Sequence, residues 1–134
     1  MGAFVRCAVL FLGVVAFTSC SGNSRVAVAG LVTYDGEPIP IGSIAFLPVD
    51  EKGIKAGGRI ENGRYKLEAE FGLMPGPHRV EIHWLKPTGK KYKNEFGEEF
   101  DRTQEGLPGK YHKDSVLTAE IKSGGNVIDF ALEK

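Results

Sequence analysis

Val28-Ala-Gly30-Leu-Val32-Thr-Tyr34-Asp35-Gly36-Glu-Pro38-Ile-Pro40-Ile-Gly42-Ser-Ile44-Ala-Phe46-Leu-Pro48 reads as a strand, a tight turn and a second strand. Val28, Gly30, Val32 and Tyr34 share one parity, which in extended backbone places them on one face. Asp35-Gly36 follows at once. That pair turns readily because glycine reaches positive φ with no Cβ clash. Pro38 and Pro40 stiffen the crossing segment. Ile44 and Phe46 then resume the alternation until Pro48 ends it, since proline cannot donate to a ladder.

Outward from this stretch the same grammar repeats. Val26–Tyr34 is expected as the first strand, 43–48 as the second and 55–61 as the third. Asn62-Gly63 is a hairpin turn leading into 64–70, with Tyr65 and Leu67 inward. Met74-Pro-Gly-Pro77 breaks the chain. In 78–85, Val80, Ile82 and Trp84 face one way and Arg79, Glu81 and His83 the other, the clearest single-face alternation in the sequence. Residues 116–122 put Leu117, Ala119 and Ile121 inward, and 127–132 put Ile128, Phe130 and Leu132 inward. No segment carries a convincing helical period, and turn signals recur about every 8–15 residues. The expectation is an all-β, seven-stranded antiparallel Greek-key sandwich in which two sheets each bury one face. Residues 86–114 are expected as a long irregular loop.

The amino-terminal segment differs in kind. Met1–Arg6 carries one charge, and Cys7–Phe17 is an unbroken run of apolar and small residues. The run falls short of the roughly 20 residues a spanning helix needs, but it suits a secretory leader. Phe17-Thr-Ser-Cys20 then resembles the lipobox of bacterial lipoproteins, with Phe17 where leucine is usual. That resemblance implies a lipoprotein signal peptide over 1–19, cleavage before Cys20, a diacylglycerol thioether on its sulfur, and acylation, for example by palmitate, of its new amino terminus. Residues 20–25 form a polar tether, and 26–134 form the domain. Ser21 after the lipidated cysteine leans toward the outer membrane.

Composition agrees with an exported, anchored domain. The cysteines are Cys7 and Cys20, so the mature chain has no intramolecular disulfide. Seventeen basic and seventeen acidic residues balance, and loss of Arg6 with the leader takes the net charge to −1. There is no basic excess for nucleic acid and no polybasic run for an electrostatic membrane contact. The membrane partner that the lipobox resemblance implies is lipid, held by acyl chains on Cys20 at about 0.8 kcal/mol per buried CH₂. About 115 residues remain after cleavage, enough for one core.

The mature sequence resembles the carboxypeptidase regulatory-like domain. The residues that carry this are Val28-x-Gly-x-Val-x-x-Asp-Gly-x-Pro-x-x-x-Gly42-x-Ile-x-Phe46, Asn62-Gly-Arg-Tyr65 and Pro75-Gly-Pro-His-Arg-Val-Glu-Ile82. Leu107-Pro-Gly-Lys-Tyr111 and the run from Leu117 through Asn126 to Leu132 resemble the form found in small bacterial envelope lipoproteins. The resemblance covers nearly all of the mature chain. It implies a transthyretin-like (prealbumin-like) sandwich, and an accessory rather than a catalytic role.

Candidate chemistry is sparse. His78-Arg-Val-Glu81 spells the H-x-x-E of metallocarboxypeptidases, but residues i and i+3 of a strand point to opposite faces, so the two cannot share a metal. Glu81 and His83 do share a face, and His112 can approach from the long loop, making these three the weak candidates for a surface zinc ion. Outward polar positions are ordinarily solvated, so no metal and no cofactor is expected. The transthyretin-type hydroxyisourate hydrolases end in Tyr-Arg-Gly-Ser, whereas this chain ends Phe130-Ala-Leu-Glu-Lys134. No Ser/His/Asp arrangement or phosphate loop is present.

The most function-like segment is 86–106. It begins basic, turns acidic, and spaces Tyr92, Phe96 and Phe100 four apart, as one stripe of a short helix would be. Long loops in compact domains are usually functional or disordered, and aromatic anchors in a charged surround suit a partner contact. The sequence thus points to a non-enzymatic module of the bacterial cell envelope, anchored through Cys20 and displaying 86–106 to an envelope protein. The alternative is a carbohydrate- or peptidoglycan-binding domain that stacks Trp84 or the loop aromatics on sugar rings; a small metal-site or hydrolase-like protein is a third reading.

Overall fold

A computed structural model describes residues 24–134. The expected leader (1–19), Cys20 and the first part of the tether lie outside the described residues. Ten strands follow in order: β1 Val28–Tyr34, β2 Glu37–Pro38, β3 Ile41–Pro48, β4 Ala56–Glu61, β5 Arg64–Leu67, β6 Gly76–Lys93, β7 Glu99–Glu105, β8 Thr118–Ile121, β9 Asn126–Val127 and β10 Phe130–Leu132. Two single 3₁₀ turns, Ala69–Phe71 and Gly109–Tyr111, are the helical content of the described residues. The fold is an all-β sandwich, as the alternation requires.

The strands are hydrogen-bonded in the order β10-β1-β5-β4-β3-β6-β7, with β2 and β9 also on β1 and β8 on β6. Pairing is antiparallel except where β1 runs parallel to β9 and β10. β1 changes partners midway. Val28–Leu31 pair with β5, and Val32–Tyr34 pair with β10. This path curls until its inner faces meet. Phe46 of β3 lies 6.0 Å from the Tyr65 ring of β5 and 6.5 Å from the Phe130 ring of β10. At one end Tyr34 of β1 meets Trp84 of β6 at 6.0 Å.

Each inward position reads from its parity. Val28, Val32, Ile44, Phe46, Ile60, Val80 and Ile82 are at most 1% exposed. Both glycine turns form as their sequences dictate. Asp35-Gly36 and Asn62-Gly63 each place two successive residues at positive φ (50° and 82°; 51° and 77°), the conformation that matches the right-handed twist of hairpin strands.

The expectation of an irregular loop over 86–114 is corrected. β6 does not stop at Leu85 but continues to Lys93, and β7 pairs back along it. The four-residue spacing of Tyr92, Phe96 and Phe100 is therefore not a helical stripe. It is the signature of two opposed strand positions with a turn residue between them. Irregular chain begins only at Gly106. There Leu107 is buried and the Tyr111 ring is half-buried against the core, its hydroxyl donating to the Glu133 carbonyl at 2.8 Å.

Candidate functional site

Beyond Trp84, β6 leaves its neighbour β3 and has β7 as its partner. Leu85–Glu105 thus stands off the sandwich as a two-stranded arm, with every residue of β7 exposed. Its two faces differ. Tyr92 lies directly opposite Phe100, with the rings stacked at 5.7 Å and 28°. On the other face Lys91 and Lys93 oppose Asp101 and Glu99, and the Lys91 ammonium reaches Glu99 at 4.0 Å. Cross-strand aromatic and opposite-charge pairs of this kind contribute about 0.2–1 kcal/mol each. A pair of strands without further support is marginal in water, so these pairs decide whether the arm stays formed.

The tip is fastened by one side chain. Asn94 Oδ1 accepts from the backbone N–H groups of Phe96 and Glu98, both at 2.9 Å, and its Nδ2 donates to Glu98 at 2.7 Å. Gly97 closes the turn at φ 80°, where a glycine is favoured. This turn places Phe96 at the apex with 86% of its surface exposed, the highest value among the large apolar side chains described.

At the root of the arm, three titratable side chains converge. His83 projects from β6, Glu105 ends β7, and His112 follows the second 3₁₀ turn. One ligand-type atom from each lies within 4.8 Å of the others. His83 Nδ1 is 2.6 Å from Glu105 Oε2, and the rings of His83 and His112 are 5.0 Å apart. Glu105 Oε1 accepts from the backbone N–H groups of Trp84 and Leu107 at 2.9 and 3.0 Å. Burial pushes the Glu105 carboxyl up, but the N–H of Trp84, the His83 ring, the N–H of Leu107 and the His83 charge outweigh it and hold the group below its ordinary range.

Of the sequence candidates, His83 and His112 are brought together and Glu81 is not. Glu81 is engaged by Arg79 at 2.6 Å along its own strand, and Glu105 takes the place it was expected to fill. His78, whose parity separates it from Glu81, is buried in the core. Its Nδ1 is 3.0 Å from the Gly76 carbonyl.

Trp84 is half-buried against the core, as its parity requires. Its ring lies over Gly106, where a Cβ would collide with it, and Lys86 Nζ sits 5.3 Å from its centroid. A ring covered in this way is not an open stacking platform. A shallow groove of about 680 Å³ runs beside β1 and β5, near Arg59, Arg64 and Asp129. Arg59 there is answered by Glu61 at 3.5 Å.

No protein-family model matches the chain. No curated protein matches it either. Among solved structures, the chain is similar to BcpA, the major pilin subunit of Bacillus cereus, with a TM-score of 0.47 and 13% identity. The match covers 82% of this chain and 30% of the pilin subunit, so this chain spans less than a third of that protein's length. At that level the likeness carries no argument about activity.

Proposed function

We propose that this chain is a non-enzymatic, lipid-anchored module of the bacterial cell envelope, of the carboxypeptidase regulatory-like kind, that presents its β6–β7 arm to an envelope protein. The observation that carries this reading is the arm itself. A hairpin with an 86% exposed phenylalanine at its apex, and with stacked Tyr92 and Phe100 still 46% and 44% exposed on one face, presents apolar surface to solvent. Apolar anchors in a polar rim are the composition of protein-binding hot spots. The turn fixed by Asn94 holds the apex before contact, which lowers the ordering cost of association.

The anchoring half of the reading rests on Phe17-Thr-Ser-Cys20. Acyl chains on Cys20 hold the domain at a membrane, with Ser21 favouring the outer one, and the short tether keeps the sandwich near the lipid surface. The arm, which stands off the sandwich beyond Trp84, is then the element offered to a neighbour.

The test replaces Tyr92, Phe96 and Phe100 by serine together and isolates the full-length protein with its neighbours after reversible crosslinking in cells. The expected result is an unchanged membrane fraction, an unchanged thermal midpoint of the sandwich, and loss of a defined co-isolated protein. Retention of every neighbour by the triple variant would overturn the arm as the contact element. Labelling of Cys20 by an alkynyl fatty acid, abolished by Cys20→Ser, checks the anchor separately.

A further inference from the structure

We propose that His83, Glu105 and His112 form a binding site for a divalent transition-metal ion of the zinc class at the root of the arm. The donor set is two imidazoles and one carboxylate, which suits zinc and its neighbours; magnesium and calcium prefer all-oxygen shells. The three donors come from three separate segments, and their ligand atoms already lie within 4.8 Å of one another. Around a tetrahedral ion with bonds of about 2.0–2.1 Å, ligand atoms stand roughly 3.3 Å apart. The adjustment required, at most about 1.5 Å of closure for the widest pair and about 0.7 Å of opening between His83 Nδ1 and Glu105 Oε2, is within reach of ring rotation, because the His83 side chain is 41% exposed and His112 is half-buried.

The backbone contacts behind the ligands separate this cluster from a chance gathering of surface groups. Buried Leu107 fixes two of the three ligands with its own backbone. Its N–H donates to Glu105 Oε1 at 3.0 Å, and its carbonyl lies 3.2 Å from His112 Nε2. The first contact, with the Trp84 N–H beside it, occupies Oε1 and leaves Oε2 directed at the histidines. The second has the Nε2–H of His112 donating to the carbonyl, so Nδ1 carries the lone pair for a metal. A carbonyl acceptor on the far nitrogen is the usual way a metal-binding histidine is oriented. His83 Nδ1, now 2.6 Å from Glu105 Oε2, exchanges its proton for the ion, or turns to offer Nε2. Three protein ligands leave a fourth position on the solvent side, filled by water or by a donor from a bound partner.

Such an ion ties β6, β7 and the 106–115 segment together where the arm leaves the sandwich, so occupancy sets the arm's direction. The site stands on its donors alone, whatever the arm contacts.

The test uses the full chain in detergent with Cys7 and Cys20 replaced by serine, so that thiols do not compete for the ion. Zinc chloride is titrated calorimetrically into the chelator-stripped protein, with magnesium chloride as the comparison. The expected result is one zinc per chain, magnesium at least 100-fold weaker, and at least a ten-fold loss of zinc affinity in both His83→Gln and His112→Gln. Glu81→Gln is expected to bind as the parent does. Far-UV circular dichroism of each variant establishes that the sandwich is retained, and histidine imidazole NMR shifts report the ion at the two rings directly. Zinc binding no tighter than magnesium overturns the proposal. So does a loss below ten-fold in either histidine variant, or zinc-independent shifts of both rings.

Discussion

Tyr65→Phe removes one oxygen atom from the centre of the sandwich, and its consequence can be worked through. The Tyr65 side chain is 3% exposed, and its hydroxyl donates to the Ile128 carbonyl at 2.6 Å, fastening the stretch between β9 and β10 to β5. The phenylalanine ring keeps its contacts with Phe46 and Phe130, so the loss is the hydrogen bond plus a stranded carbonyl. A neutral hydrogen bond contributes about 1 kcal/mol net, and a buried acceptor left without a partner raises the cost to about 2 kcal/mol. For a domain of this size that lowers the midpoint by about 8 °C.

The same hydroxyl gives a pH signature. Burial first, and the Asp129 charge second, raise the Tyr65 phenol well above its ordinary value. The unfolded phenol ionises near pH 10 while the folded one stays protonated, so its contribution is complete below pH 10 and is lost as the pH rises beyond it. Relative to Tyr65→Phe, the parent protein loses about 1.4 kcal/mol per pH unit there, and the 2 kcal/mol gap closes by roughly pH 11.5. Urea denaturation of both proteins at half-unit steps from pH 8 to 11.5 measures this. A variant within 0.5 kcal/mol of the parent at pH 8, or a gap that stays constant to pH 11.5, would refute the reasoning.

Phe46→Ala empties the position where three rings meet and is expected to cost about 3–5 kcal/mol by chemical denaturation; a cost below 1 kcal/mol would mean Phe46 is not at the centre. Gly30→Ala sets a Cβ against the Ile128 carbonyl, and is expected to destabilise by about 3 kcal/mol or more with accelerated amide exchange over 126–132. Asn94→Ala removes the side chain that fastens the tip. Amide exchange of 92–100 is expected to rise about five-fold or more, equivalent to about 1 kcal/mol of local stability, with the sandwich unchanged.

The sandwich was legible because half-buried strands write their orientation into alternation. Val80 and Ile82 against Arg79 and Glu81, or Ala119 and Ile121 against Thr118 and Glu120, leave one choice of inner face, and the burial of each follows it. The arm was not legible by that rule. Both faces of 86–105 meet water, so one ring per strand is all the apolar contrast the alternation carries, and aromatics spaced by four mimic a helix. A different signal was present. Lys93 and Lys91 stand as far before Phe96 as Glu99 and Asp101 stand after it, with Tyr92 and Phe100 between the charges. Cross-strand charge and ring pairs about a turn closed by glycine describe a hairpin.

The root cluster was half legible for a related reason. His83 and His112 were visible as outward histidines, but Glu105 is 22 residues from His83 and reaches it only through hairpin register. Glu81 had the right parity and sat two residues away, yet Arg79 on the same face holds it. Spacing along one strand shows which side chains share a face; it does not show which of them are already engaged.

The most direct measurement is in-cell photo-crosslinking with a photoreactive phenylalanine analogue at Phe96, set against the same analogue at Val127. Val127 is 82% exposed but lies on the sandwich, away from the arm. The account predicts one recurrent envelope-protein adduct from position 96, absent from position 127 and retained after detergent extraction. Equal adduct patterns from the two positions, or adducts of lipid or glycan alone from position 96, would contradict the arm as a protein-contact element.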